Sequence, residues 1–320
     1  MFRYLLSRLC SLVLLLLGVV SCSPEGEPAL HTPFPYTPNP SSTPAPSATS
    51  ITVESTDVPS ATSTLLPTAQ VMLTPTPPAC GTRGGKINTY QLSAQWLRYP
   101  LDVRVYQPPC YDEQPERAYP ALYLIHGQSF TDDQWERLGV GEVADRLIGQ
   151  GELAPFLIVM PRDREWTQSD KDPFGRAFIE LLLPWVDQTF RTLPERSARA
   201  VGGLSRGAGW AIHFGLKHWE TFGAIGAHSP AVFWSDTPLI PAWLGAIPPD
   251  SLPRFYIDLG DRDRQEITES AAWFEDQLLR QNVVHEWHLF HGEHNENYWR
   301  AHLELYLRWY AAPWIIRQSP

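Results

Sequence analysis

Six short runs of almost unbroken apolar residues recur along the chain: Ala121 to His126, Leu153 to Met160, Ala198 to Leu204, Ala224 to Ala227, Phe255 to Leu259 and His285 to Phe290. Runs that do not alternate with polar residues are what strands covered on both faces require. Between them lie segments of helical period, at Gly141 to Gly149, Ala177 to Thr192, Gly209 to Trp219, Thr268 to Gln281 and Tyr298 to Trp309. Strand and helix in alternation predict an α/β domain: a doubly wound, mostly parallel sheet with helices on both faces. The stretch from Cys80 to Gln107, with Val103 and Val105, reads as antiparallel strands at one edge. In an open sheet of this kind ligands gather beyond the carboxyl ends of the strands. The loops that follow the apolar runs are therefore where chemistry is expected.

The N-terminal pattern is different. Arg3 and Arg8 precede an apolar stretch from Leu12 to Val20 that is short for a bilayer span, and Val19-Val20-Ser21-Cys22 follows. Residues 1–21 read as a lipoprotein-type signal peptide, cleaved before a lipid-modified Cys22. Residues 22–79 read as a Pro-, Thr- and Ser-rich tether without Lys or Arg, too poor in apolar surface to offset its ordering entropy. Extended Pro-rich chain rises about 3.1 Å per residue, so such a tether reaches on the order of 100 Å. Residues 80–320 are left as the folded domain. The expectation is an exported protein held to the cell envelope through an N-terminal lipid anchor.

Composition narrows the reading further. Hydrophobic residues make up 43% of the chain, enough for a sizeable core, and the formal charge of −10 argues against nucleic acid as a partner. Of the 4 cysteines, Cys10 falls in the signal peptide and Cys22 at the lipid site. Cys80 and Cys110 remain, and in an oxidising compartment they are expected to pair. The chain-entropy model gives roughly 3–4 kcal/mol for a loop of about 30 residues.

Chemistry concentrates in three of the predicted loops. The third apolar run leads into Gly203-Leu204-Ser205-Arg206-Gly207 and then a helix, which is a G-x-S-x-G turn in its strand–turn–helix context. Such a turn lifts the Ser205 hydroxyl above the sheet and sets it at a helix N-terminus. Serine needs a base to take its proton, and the base needs an orienting acid. The fifth run ends in Asp258-Leu259-Gly260-Asp261-Arg262-Asp263 and the sixth in His291-Gly292-Glu293-His294, giving the chain order serine, acid, histidine. Asp258 lies inside its strand, facing a helix, whereas Asp261 and Asp263 both lie in the loop. His294 is the histidine placed to reach Ser205. His285, His288, His291 and His294 recur every three residues, but on a strand that spacing alternates faces, so no metal is expected. The amides of Arg206, after the serine, and of Gln128, in the His126-Gly127-Gln128-Ser129 loop, are the expected oxyanion donors.

These residues resemble the α/β-hydrolase putative esterase family, which includes S-formylglutathione hydrolases, feruloyl and acetyl xylan esterases, siderophore esterases and mycolyltransferases. The likeness runs from about Gly84 to Trp309. It rests on Tyr123-Leu124-Ile125-His126-Gly127 with Trp135, on Gly151-Glu152-Leu153-Ala154-Pro155 before Val159-Met160-Pro161, and on Glu180 to Asp187. It continues through Arg199-Ala200-Val201-Gly202-Gly203-Leu204-Ser205 and the Gly260-x-x-Asp263 and Gly292-x-His294 loops. The resemblance implies an α/β-hydrolase fold and Asp263, rather than Asp261, as the acid. The chain departs from the family at Arg206, where Met is usual, at Gly207-Ala208, at Glu293 and at Asn295-Glu296. Arg206 and Glu296 are thereby expected near the acyl pocket or its rim.

The expected function is a serine carboxylesterase acting on a small acyl or aryl ester, including one linked to carbohydrate, without a cofactor. An acyltransferase of the same fold and a catalytically silent surface binding module are the alternatives. Trp135, Trp166, Trp210, Trp234 and Trp299 are candidates for an aromatic platform, although core and loop packing is the simpler role for most. Arg162, Asp163 and Arg164 are expected in a solvated loop.

Overall fold

A computed structural model describes residues 83–314. Cys22, the expected signal peptide and tether, and Cys80 lie outside the described residues.

Among the described residues, eight strands form one sheet: β1 (Lys86–Leu92), β2 (Leu101–Gln107), β3 (Ala121–Ile125), β4 (Leu157–Pro161), β5 (Arg199–Leu204), β6 (Ala224–His228), β7 (Arg254–Gly260) and β8 (Glu286–Phe290). Their order is β1-β2-β4-β3-β5-β6-β7-β8. β1 pairs antiparallel with β2, and β2 with β4, while every pairing from β4 to β8 is parallel. The helices are α1 (Gln134–Arg137), α2 (Val140–Gly149), α3 (Pro173–Ala177), α4 (Leu183–Thr189), α5 (Arg206–Lys217), α6 (Ile240–Ala246), α7 (Gln265–Arg280) and α8 (Glu296–Ala311).

Side chains alternate across the pleat and sort into two cores. Tyr123, Ile125, Leu157, Val159 and Val201 join one cluster with Phe174, Phe178, Trp210, Phe214 and Phe274 from α3 through α7. Their neighbours Leu122, Leu124, Ile158, Met160 and Ala200 join the other, with Trp135, Ala144, Leu147, Leu303, Tyr306 and Tyr310 from α1, α2 and α8. Burial on both faces is why β3 and β4 carry no polar alternation. Among the described residues no helix is long and apolar enough to cross a membrane.

Several boundaries differ from those expected. The second apolar run enters the sheet only at Leu157, because Leu153 and Ala154 are already spent packing beside α2 as core residues before Pro155. The helical segment from Ala177 to Thr192 is interrupted by a π turn at Phe178–Leu182 and ends at Thr189. α6, Pro-containing and only 7 residues long, carries too little periodicity to be read from sequence.

Phe178 is fully buried and stacks on Phe214, with ring centroids 4.1 Å apart and planes at 14°. Phe178→Ala is expected to cost about 3–5 kcal/mol by the lost transfer energy and the cavity left behind. Leu279→Ala, at an exposed position, is expected to stay within about 0.5 kcal/mol. Urea denaturation of the two variants measures the difference.

Candidate active site

The turn after β5 is sterically forced. A Cβ on Gly203 would lie 2.3 Å from the carbonyl of Gly207, and one on Gly207 would lie 2.2 Å from the carbonyl of Ile125. Between them Ser205 has φ 54 and ψ −116, outside the regions that ordinary L residues occupy. The strain is held by neighbours: the Ser205 N–H donates to the His228 carbonyl at 2.8 Å, and the Ser205 carbonyl accepts from Ala208, Gly209 and Ala231. Ser205 is the N-cap of α5, which sets it at the positive end of the helix dipole.

The loops after β7 and β8 are stitched together. Asp261 N–H donates to the Phe290 carbonyl and Arg262 N–H to that of Gly292. The Asp263 and His294 side chains meet as a result. His294 Nδ1 lies 2.7 Å from Asp263 Oδ1, and His294 Nε2 lies 3.0 Å from Ser205 Oγ. Asn295 then caps α8, accepting from the Tyr298 N–H at 3.1 Å, which fixes the helix start directly after the histidine. The Trp299 ring packs edge-on against His294 at 5.0 Å.

Burial works to raise the Asp263 pKa. The hydrogen bond and charge of His294, the nearby Ser229 hydroxyl and the Arg264 N–H outweigh it, so the carboxyl is held below the usual carboxylate range. An ionised Asp263 fixes the proton on Nδ1 and turns the free lone pair of Nε2 toward the serine hydroxyl. That arrangement can withdraw a proton from Ser205 and return it to a leaving group.

Asp261 is aimed elsewhere. It lies on the surface, 3.0 Å from the exposed His291 Nδ1, and accepts the Gly292 N–H. Asp258 is fully buried in β7, where its Oδ1 meets His228 Nδ1 at 2.6 Å and its Oδ2 accepts from the Tyr298 and Tyr306 hydroxyls of α8, each at 2.7 Å. This polar knot ties β6, β7 and α8 together beneath the site. Among the described residues no group of three or more His, Cys, Asp or Glu could hold a metal ion.

Gln128 and Arg206 lie in the segments that follow β3 and β5, which are neighbours in the sheet. As the first residue of α5, Arg206 has an N–H with no carbonyl beneath it in the helix. The Gln128 loop is fastened by the fully buried Gln134, whose Oε1 accepts the Gly127 N–H at 2.8 Å. Gln134 Nε2 in turn donates to Glu296, which also accepts two hydrogen bonds from Arg137.

Two expectations about this region are corrected. Asp163 is not solvated: its side chain is 1% exposed and receives Arg206 Nε at 2.7 Å and Trp210 Nε1 at 2.9 Å. The Arg206 side chain is not at a pocket rim either. It turns away into the protein, where Nη2 also donates to the buried Asp172 at 2.7 Å, because only there do two carboxylates balance its charge. Trp135, Trp210 and Trp299 are core residues, whereas Trp166 and Trp234 are more than two-fifths exposed. Neither Gln134 nor Asp163 was singled out for the site from the sequence. Their roles depend on partners 7 and 43 residues distant, a relation that no local motif records.

The strand order, the parallel core of the sheet and the serine turn at the end of β5 define an α/β-hydrolase fold. The chain belongs to the family described as "Putative esterase", whose model matches residues 95–310. It is 32% identical to an esterase of Mycobacterium tuberculosis over 136 residues, covering 40% of this chain and 29% of that protein. It is 25% identical to an endo-1,4-beta-xylanase/feruloyl esterase of Xylanibacter ruminicola over 186 residues, covering 53% of this chain and 24% of that one. The matched regions thus span less than a third of these relatives' lengths. Among solved structures, a ferulic acid esterase superposes with a TM-score of 0.64 at 24% identity, covering 72% of this chain and 98% of the other. An S-formylglutathione hydrolase of Staphylococcus aureus superposes at 0.59 with 18% identity, covering 72% and 98%.

Asp263→Asn is expected to lower kcat by about 10³–10⁴, because the amide no longer selects the productive imidazole tautomer. Asp261→Asn should leave kcat within about twofold. Steady-state hydrolysis of p-nitrophenyl acetate separates the two acids. The depressed Asp263 pKa also stabilises the fold above the unfolded-state value near pH 4, and that contribution is lost as pH falls through the folded-state value. The difference in thermal stability between wild type and Asp263→Asn is therefore expected to change below about pH 4 and to stay level above about pH 5.

Proposed function

We propose that the protein is a serine esterase that forms an acyl-enzyme on Ser205, with His294 as general base and then general acid, and Asp263 as the orienting carboxylate. The observation that carries this reading is the unbroken relay from Asp263 Oδ1 to His294 to Ser205 Oγ, at 2.7 and 3.0 Å. Ser205 Oγ attacks the ester carbonyl carbon as its proton passes to His294 Nε2. The carbonyl oxygen becomes an oxyanion that the Gln128 and Arg206 amides hold. Collapse of the tetrahedral species breaks the bond to the alcohol, which leaves with the proton from His294. Water, deprotonated by the same imidazole, then releases the acid and restores the serine. No step calls for a cofactor.

The substrate we infer is an aryl or small acyl ester attached to carbohydrate. The relative from Xylanibacter ruminicola is named for xylanase and feruloyl esterase activities, and two structural neighbours carry titles naming ferulic acid or sinapinate as the bound molecule. The exposed Trp166, in the β4–α3 loop, offers a ring on which a phenolic acyl group can stack.

Export completes the proposal. A lipid on Cys22, a tether from residues 22–79 and a Cys80–Cys110 bridge together describe an enzyme held at the outer face of a membrane, reaching toward polymer. A Cys22→Ala substitution in the producing cell should then release the protein from the membrane fraction, as read by fractionation and immunoblotting.

The catalytic reading is tested with methyl ferulate, acetylated xylan and p-nitrophenyl acetate, each with wild type and Ser205→Ala. Wild type should turn over at least one of them, and the variant should lose about 10⁶ in kcat. Equal rates in the two proteins would remove Ser205 from the mechanism.

A further inference from the structure

The two amides assigned to the oxyanion come from loops far apart in sequence, yet one residue is bonded to both of those loops. Asp163 follows β4, and its main-chain N–H donates to His126 Nε2 at 2.9 Å. Its carboxylate Oδ2 receives Arg206 Nε at 2.7 Å. His126 heads the loop that carries Gln128, and Arg206 is the residue after the nucleophile.

The hydrogen bond from Asp163 settles the His126 tautomer. Nε2 accepts, so it carries no proton, and Nδ1–H donates to the Gly127 carbonyl at 2.7 Å. Burial pushes the His126 pKa down and keeps the ring neutral, as this bond requires. Gly127 is consequently held on both sides, by His126 at its carbonyl and by Gln134 at its N–H. That carbonyl belongs to the same peptide unit as the Gln128 N–H, because a planar amide joins the two. Fixing the oxygen therefore fixes the direction of the donor.

On the other side, Arg206 enters α5 directly after the strained serine. Its guanidinium is 7% exposed and spans Asp163 and Asp172, and Trp210 Nε1 shares Asp163 Oδ2. A planar fork between two buried carboxylates tolerates little rotation. Asp172 is itself fixed, accepting the Thr167 and Phe174 N–H groups. Arg206, Asp163 and Asp172 are each held by at least two hydrogen bonds.

We propose that Asp163 is a positioning residue that sets the spacing and direction of the Gln128 and Arg206 amide donors, through His126 on one side and the Arg206 guanidinium on the other. The proposal rests on the oxyanion reading given above. It assigns a transition-state role to a residue that touches no substrate. The physical reason is that oxyanion donors act through preorganisation: a misplacement of about 1 Å can cost on the order of 10²-fold in rate.

The test compares Asp163→Asn, Arg206→Lys and Ser205→Ala with wild type, using p-nitrophenyl acetate as substrate. A phenylalkyl trifluoromethyl ketone serves as the tetrahedral mimic. The Ser205 oxygen adds to its carbonyl while His294 takes the proton, leaving an oxyanion in the site. Asp163→Asn should lower kcat by about 10- to 100-fold with KM within about threefold, and lower the ketone affinity by a similar factor. The pH at which kcat/KM rises should not move, since the imidazole and its acid are untouched. A properly folded variant with kcat and ketone affinity within about twofold of wild type, or a loss confined to KM, would overturn the proposal. Should Asp163→Asn not fold, Arg206→Lys, which keeps the charge and loses the fork, is read by the same criteria. An inactive Ser205→Ala beside an unimpaired Asp163→Asn refutes the positioning role alone. A fully active Ser205→Ala refutes the oxyanion assignment on which it stands.

Discussion

The mechanism we propose needs a base held against a serine hydroxyl, and the contact that would meet this need is a single 3.0 Å approach between groups 89 residues apart in sequence. The rest of the domain can be read as the means of maintaining it. The strained turn at Ser205 persists because Gly203 and Gly207 let neighbouring backbone close in and because His228, at the end of the adjacent strand, accepts the serine N–H. The His294 imidazole stays in place because the β7 and β8 loops are hydrogen-bonded to each other and Asn295 starts α8 immediately after His294.

Beneath these loops polar groups are buried and paired with one another. Asp258 accepts from two tyrosines and pairs with His228, and Asp163 and Asp172 surround Arg206. Buried ionic groups of this kind add little net stability compared with apolar packing of similar volume, but losing one partner is costly. Their common location under the carboxyl edge of the sheet fits a role in holding loops to fixed positions. The two cores on either face supply the bulk of the stabilisation.

Much of this was legible in the sequence, for identifiable reasons. The strands from β3 to β7 are buried on both faces and so appear as apolar runs, and G-x-S-x-G and the loop histidine occupy short local motifs. Asp263 could be separated from Asp261 only through family resemblance. Their two-residue spacing leaves both in the same loop, and the decision lies in which histidine each meets. Asp163 looked like a solvated loop residue because it stands between two arginines, Arg162 and Arg164. Those arginines turn outward to Asp102, while Asp163 turns inward to a third, Arg206. Charge pattern along the chain cannot report a partner brought in by another strand.

The central claim is a covalent one, and trapping the acyl-enzyme tests it most directly. Wild-type protein mixed with an excess of a slowly deacylating aryl ester, quenched in acid within the first turnover and digested, should yield one peptide heavier by the acyl group, with the modification mapping to Ser205. Turnover of the same ester without any adduct at that serine, or with the acyl group on another residue, would contradict the account.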